Sequence, residues 1–341
     1  MSRGLGDVYK RQDMLRTFLP SVVRYSAGEG IEVCVADNGS TDASVTLLQQ
    51  EFPSVRTIVL DQNYGFADGY NLALQQVDAE YVVLLNSDVE VTEHWLEPMI
   101  AYLDKHPEVA ACQPKIRSQR QKEYFEYAGA AGGFIDKYGY PFCRGRIMGV
   151  VEKDEGQYDT VIPVFWATGA ALFIRRTDYV NVGGLDGRFF AHMEEIDLCW
   201  RLRSRNREIV CIPQSIVYHV GGATLKKENP HKTFLNFRNN LVMLYKNLPQ
   251  EELNKVMRIR TCLDYLAAFN FLLQGHWDNA SAVMRARKEY KLLCPAFSLS
   301  REENMRKKTL NPIPERTKSS ILWQFYARGC KRFSQLSDLK G

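Results

Sequence analysis

Along most of the chain, short and mainly apolar runs alternate with longer segments in which apolar positions recur every three or four residues. Ile31–Ala36 (IEVCVA), Val55–Leu60, Tyr81–Leu85 (YVVLL) and Val109–Gln113 are the short runs, and they predict buried strands. Thr41–Phe52, Phe66–Val77 and Glu93–His106 lie between them with helical spacing. Strand and helix in strict alternation predict an α/β fold whose mostly parallel sheet is covered on both faces. In such sheets ligands sit at the carboxyl ends of the strands.

The pattern is different at both ends and in the middle. Asp13–Tyr25 already reads as a helix through Met14, Leu15, Phe18, Leu19 and Val22, while residues 1–12 show no apolar alternation. A sheet of this type should open with a buried strand, so the leader looks non-native and the natural first strand is expected to be missing or replaced. Arg117–Asp159, rich in Gly, Tyr and charge, predicts a mobile loop or small insertion able to cover a substrate. Strand character returns over Val161–Arg175, Ile209–Pro213 and Ser215–Val220. Thr233–Leu248, Leu253–Leu273 and Ala280–Leu293 predict helices, Asn311-Pro312-Ile313-Pro314 breaks the chain, and Ser319–Leu336 is a last segment. The organisation expected is a leader over 1–12, an α/β domain over 13–248 and a helical, basic extension over 249–341.

With 45% hydrophobic and 25% charged residues, the 341-residue chain is an ordinary globular one. No apolar run approaches the length needed to span a bilayer, and no secretory leader is visible. The eight cysteines are scattered without a CxxC pair, which predicts reduced, buried thiols in a cytoplasmic protein without structural zinc. The net charge of +4 conceals an asymmetry: from Ser281 onward there are 14 Lys and Arg against 5 Asp and Glu, so the first 280 residues carry −5. A basic tail with Trp323, Phe325 and Tyr326 fits peripheral contact with the inner face of the cytoplasmic membrane. Packing against the catalytic domain or a dimer contact fits it as well. No nucleic-acid partner is expected.

The chemistry collects at the predicted strand ends. Asp37, opening Asp37-Asn38-Gly39-Ser40-Thr41-Asp42, can accept hydrogen bonds from a base or a ribose, whereas Ser40 and Thr41 read as helix capping. Asn63-Tyr64-Gly65 allows a close backbone approach to a nucleotide, or simply a helix start packed on the sheet. YVVLL delivers Asn86-Ser87-Asp88, and a carboxylate so placed suits Mg²⁺ or Mn²⁺ whose shell is completed by diphosphate oxygens and water. Phe189–Arg203 (FFAHMEEIDLCWRLR) crowds Glu194, Glu195 and Asp197, which could cap a helix, bind a cation or take a proton. His219 ends a strand beside Gly221 and Gly222, where a core histidine and a ligand are both reasonable. Arg238 and Asn239 could face an acceptor or simply the solvent.

DNGSTD, NYGFADGYNLAL, YVVLLNSDVEV, TGAALFIRR, FFAHMEEIDLCWRL and VYHVGG occur in this order over about Asp13 to Leu248. Together they resemble the family 2 glycosyltransferases of GT-A fold, especially the bacterial rhamnosyltransferase-like branch. The resemblance implies nucleotide contacts at Asp37, Asn38, Asn63, Gly65, Asn86 and Asp88, with Asn86-Ser87-Asp88 standing where the family has its Asp-x-Asp. It implies metal binding by Asp88, with His219 completing the shell, and a catalytic base at Glu195 that Glu194 orients. The activity implied is inverting, metal-dependent and non-processive transfer from a UDP- or dTDP-linked sugar to a glycan or lipid-linked acceptor in cell-surface polysaccharide synthesis. A nucleotidyltransferase, or a non-catalytic assembly partner with this fold, is the alternative. The family's opening strand and its nucleotide-cradling loop have no counterpart in Met1–Gln12.

Overall fold

The computed structural model describes residues 8–221 and 229–336. Helix α1 spans Val8–Tyr25, so the helix expected from Asp13 begins inside the expected leader, of which residues 1–7 lie outside the described residues. Strand β1 (Cys34–Asn38), helix α2 (Ser44–Glu51), strand β2 (Arg56–Leu60) and helix α3 (Gly65–Gln75) follow the predicted alternation. Next come β3 (Tyr81–Leu85), β4 (Val89–Val91), α4 (Glu97–Lys105) and β5 (Val109–Ser118). α1 is tied to this part of the chain by its Ser21 hydroxyl, which accepts from the Val91 amide, and by Ser26, which accepts from the Trp95 indole at 3.1 Å.

Of the two expectations for this segment, a mobile loop or a small insertion, the structure has the second, a small antiparallel sheet. It consists of β6 (Gly133–Ile135), β7 (Pro141–Cys143), β8 (Arg146–Ile147) and β9 (Val150–Val151). Phe134, Ile135, Phe142, Cys143 and Ile147 are buried in the main core. Strands of two or three residues are too short to display a period of two. Glycine there serves packing: a Cβ on Gly133 would lie 2.1 Å from the Trp166 ring.

After β10 (Ile162–Pro163) come β11 (Ala171–Arg175), α5 (Arg176–Asn181), α6 (Glu194–Ser204) and β12 (Glu208–His219). The main sheet has the order β10-β12-β5-β11-β3, with β4 also on β12. β12 is parallel to β5, and β11 is antiparallel to both β5 and β3, so β3, β5 and β12 run one way with β11 inserted against them. The sheet is therefore mixed rather than mostly parallel. β1 and β2 pair in parallel as a separate two-stranded sheet. Two strands expected around Pro213 are one. Pro114 of β5 lies opposite Ile212 where the register shifts before Ile216, so prolines lacking N–H groups coincide with an irregularity in the ladder rather than with a strand end.

Helices α7 (Pro230–Asn247), α8 (Gln250–Leu273), α9 (Trp277–Leu293), α10 (Ser298–Lys307) and α11 (Ile321–Tyr326) complete the described chain. The last segment returns to the small sheet. The Thr317 amide donates to Ile135, the Ile321 amide to Asp136, and the Phe333 ring sits 5.1 Å from that of Phe134. Leu253, Val256, Phe297, Ile313, Ile321 and Phe333 thus belong to the same core as the strands. Among the described residues, no helix is long and apolar enough to cross a membrane.

Candidate active site at the strand ends

The carboxyl end of β1 holds Asp37, buried, with the Ser40 amide donating to its Oδ2 at 2.9 Å. Its neighbour Asn38 joins two loops. The Asn38 amide donates to the Gly65 carbonyl at 2.7 Å and to Asn63 Oδ1 at 3.1 Å, and its Oδ1 accepts the Tyr64 amide at 3.0 Å. Asn63 Oδ1 in turn accepts the Gly65 amide at 2.9 Å. The structure thus brings Asp37, Asn38, Asn63 and Gly65 together, with the two asparagines holding the loop before α3 against β1. Gly39 (φ +68°) is required by that approach, since a Cβ would lie 2.3 Å from the Gln62 backbone. Gly65 (φ +77°) opens α3 with clear space where a Cβ would project. The N-cap of α2 is Ala43, without a side-chain cap; Asp42 just before it accepts the Ser44 amide at 3.0 Å, and neither Ser40 nor Thr41 takes the capping place.

The end of β3 meets the end of β12. Val89 pairs antiparallel with His219, which sets the preceding Asp88 beside the imidazole. His219 Nε2 lies 3.2 Å from Asp88 Oδ1, and the Val220 amide donates to the Asp88 carbonyl. On the other edge of the ring, Nδ1 is 3.6 Å from Oε2 of Glu126, a residue that no local motif singles out. Burial pulls the imidazole pKa down, but the charge of Glu126 and the contact with Asp88 outweigh it and push it up to about 10. A Cβ on Gly221 would lie 2.2 Å from Glu126, so glycine lets the chain turn away past this carboxylate. Gly222, the other glycine of the motif, lies outside the described residues. Asn86 donates its backbone N–H to Ala170, while its side-chain Oδ1 is buried with no hydrogen-bond partner among the described residues.

Glu194 and Glu195 open α6, the first fully buried and the second half-buried. The segment that leads into them is strained: Phe190, His192 and Met193 have φ of +67°, +70° and +75°. Non-glycine residues held there cost about 1–3 kcal/mol each and persist only where surrounding contacts over-determine them. Those contacts come from α7. The Asn239 amide reaches the carbonyls of Phe189 (2.8 Å), Ala191 (2.7 Å) and His192 (2.9 Å), and Arg238 donates to Phe189 at 3.1 Å. Neither α7 residue serves as a solvent-facing polar group, and Asn239 is buried. The third acid of the cluster, Asp197, takes a structural place: it is buried and bonded to Arg201 (2.9 Å), Lys246 (2.7 Å) and Asn247 (2.8 Å).

A single turn links α6 to the end of β3. The Ala167 amide points to the Cys199 thiol of α6 at 3.4 Å, and the Ala170 carbonyl accepts from Asn86 at 3.0 Å. The Asp88 carboxylate and the His219 imidazole, in contact, offer an oxygen and a nitrogen donor of a kind that suits Mn²⁺ or Mg²⁺, and Asn86, two positions before Asp88, has a buried amide oxygen with no hydrogen-bond partner among the described residues. No group of three or more His, Cys, Asp and Glu side chains among the described residues is arranged to hold a metal ion unaided. A cation here would therefore take further ligands from a bound diphosphate and water.

Residues 7–171 match the model of the family described as glycosyl transferase family 2. The N-acetylglucosaminyl-diphospho-decaprenol L-rhamnosyltransferase of Mycobacterium tuberculosis is 27% identical over 203 residues, covering 55% of this chain and 66% of that protein. Rhamnosyltransferase WbbL of Escherichia coli is 25% identical over 163 residues, covering 46% of this chain and 61% of its own length. The chain thus spans just under two thirds of these curated relatives. The crystal structure of GalNAc-T7 with UDP, GalNAc and Mn²⁺ superimposes with a TM-score of 0.54 at 14% identity, over 89% of this chain and 56% of that one, a likeness of fold alone. With the motif order in place, residues 7–171 match the glycosyl transferase family 2 model, and the chain is similar to rhamnosyltransferases of that kind.

Proposed function

We propose that this protein is an inverting, metal-dependent glycosyltransferase that moves a sugar from a UDP- or dTDP-linked donor to a glycan or lipid-linked acceptor. The observation that carries the reading is the pairing of Asp88 with His219 at 3.2 Å where the chain leaves β3. The named activity of the mycobacterial relative supports a lipid-linked acceptor and a role in cell-surface polysaccharide synthesis.

In this reading Asp37 contacts the base or ribose, and the loop held by Asn38 and Asn63 presents the start of α3 to the donor. Asp88 and His219 hold a divalent cation, which when bound neutralises charge on the diphosphate. Glu195 accepts the proton of the acceptor hydroxyl as that oxygen forms its bond to the anomeric carbon. The bond from that carbon to the diphosphate oxygen breaks, and its electron pair leaves with the nucleoside diphosphate. Glu194, fully buried behind it, orients Glu195. One displacement with one base inverts the anomeric centre; retention would require a second carboxylate acting as nucleophile.

Calorimetry with UDP, dTDP and GDP, each with and without Mn²⁺, tests the donor half of the proposal. Binding of UDP or dTDP that depends on Mn²⁺ is expected. Glu195→Gln should keep that binding while turnover falls by about 10²–10⁴-fold. Failure of all three nucleotides to bind would overturn the catalytic reading and leave an assembly partner of the same fold.

A further inference from the structure

Helices α8 and α9 form an antiparallel hairpin whose outer surface has an unusual composition. Along α8, Leu266, Phe269 and Leu273 fall on one stripe and are 62%, 56% and 72% exposed, and Trp277, the first residue of α9, is 70% exposed. A helix facing water normally carries polar residues on this face. The same exposed face of α8 begins with Lys255 and Arg258, and beyond Glu252 it presents no acidic residue: Asp264, the only later carboxylate of the helix, is buried against Arg260 and Arg287. α9 continues the pattern with exposed Arg285, Lys288 and Lys291. Exposed Asp278 beside Trp277 is an opposing charge and Glu289 is paired with Arg238, but apolar and aromatic side chains at one end with an excess of cations along the flanks match the surface of a bilayer containing anionic lipid.

The hairpin is rigidly mounted. α9 packs on α7 through Ala280, Ala282, Val283 and Ala286, whose small side chains allow close approach. Gly275 (φ +77°) turns the chain at the tip, where His276 donates its amide to Phe271. Asn279 donates to the Thr233 hydroxyl at 2.8 Å, which fixes the tip to the first turn of α7. Five residues further along α7, Arg238 bridges Glu289 of α9 to the Phe189 carbonyl, at the strained segment that leads to Glu194 and Glu195. The apolar tip is thus tied, through α7, to the approach to the candidate catalytic acids.

We infer that the α8–α9 hairpin is a docking surface for an anionic membrane, seating the protein so that a lipid-anchored acceptor can reach the site. The inference puts the membrane contact on the hairpin rather than on the last segment, where Trp323 and Tyr326 are exposed but Phe325 is buried and the chain packs on the small sheet. It extends the lipid-linked part of the proposed function, but its evidence is independent of the donor chemistry.

Co-sedimentation of the full chain with vesicles of phosphatidylcholine alone, or with 30 mol% phosphatidylglycerol, tests it without any sugar present. Binding is expected only to the anionic vesicles, about tenfold weaker at 0.5 M than at 0.1 M NaCl. Leu266→Ser combined with Phe269→Ser should weaken it at least tenfold, while Trp323→Ser combined with Tyr326→Ser should leave it unchanged. UDP calorimetry and thermal melting of each variant establish that it is folded, and they score the donor reading separately. Absence of binding to anionic vesicles overturns the inference, as does equal loss in the Trp323 and Tyr326 variant. Sedimentation velocity showing a dimer that the Leu266 and Phe269 variant dissociates also overturns it, because the face would then cover a second copy.

Discussion

The side-chain amide of Asn239 donates to the carbonyl oxygen of His192 at 2.9 Å, joining the middle of α7 to a residue in the left-handed region two positions before Glu194. The bond fixes how the acidic first turn of α6 is presented. Asn239→Ala removes the partner of three carbonyls at once, in a buried place where unpaired polar groups cost about 1–3 kcal/mol each. Thermal melting should show a loss of about 2 kcal/mol or more. Turnover should fall by about tenfold or more through misplacement of Glu195. Mn²⁺-dependent nucleotide binding, which involves the other wall of the site, should be little changed. Asn239→Asp, which cannot donate to the carbonyls, should resemble alanine rather than asparagine.

At the metal site the arrangement makes graded predictions. Asp88→Ala and His219→Ala should each abolish or greatly weaken Mn²⁺-dependent nucleotide binding. Glu126 stands behind His219, with its Oε2 3.6 Å from Nδ1. Carboxylates in this position orient a ligating imidazole, and their loss costs about 10–100-fold in metal affinity. Glu126→Gln should therefore weaken Mn²⁺ binding to that extent, as read by electron paramagnetic resonance of free Mn²⁺, while nucleotide binding at saturating Mn²⁺, read by calorimetry, is little changed.

Acid stability should depend on Asp186. Burial raises its pKa, but hydrogen bonds from Arg188 and the charge of Lys246 outweigh this and hold the carboxyl well below its ordinary value of 3.8. A carboxyl depressed in the folded state stabilises the fold above its unfolded pKa, and that contribution is lost as pH falls toward the folded value. The melting temperature should decline below about pH 4, and Asp186→Asn should make this acid decline shallower. At neutral pH the variant should cost about 2 kcal/mol, because Lys246 keeps Asp197 as a partner.

In the small sheet, Gly133→Ala should be poorly tolerated despite its modest size. The new methyl would meet the Trp166 ring at 2.1 Å, and the indole is itself fixed by its hydrogen bond to Phe134. Overpacking of a buried ring costs about 1–3 kcal/mol. Chemical denaturation should reveal it, and Gly149→Ala, where a Cβ meets nothing within 4 Å, is the matching control.

The sequence by itself determined the alternation of strand and helix, the family resemblance, and the acids at strand ends, because each is written in neighbouring residues. YVVLL is a strand whatever surrounds it, and Asp88 follows it by covalent connection. Tertiary structure decided what those acids meet. The Asp88–His219 contact depends on the register of β4 against β12, two strands far apart in the chain. Glu126 comes from a third segment with no local signal. Asp197 read only as one of three crowded acids and Lys246 carried no signal, and their mutual burial makes them a core pair. The run of glycines and short strands between Arg117 and Asp159 left a mobile loop and a small insertion both open, because residues such as Gly133 are matched to distant rings rather than to neighbours. Local pattern encodes backbone conformation, whereas register, buried charge pairing and ring packing depend on long-range contacts that no window of the sequence contains.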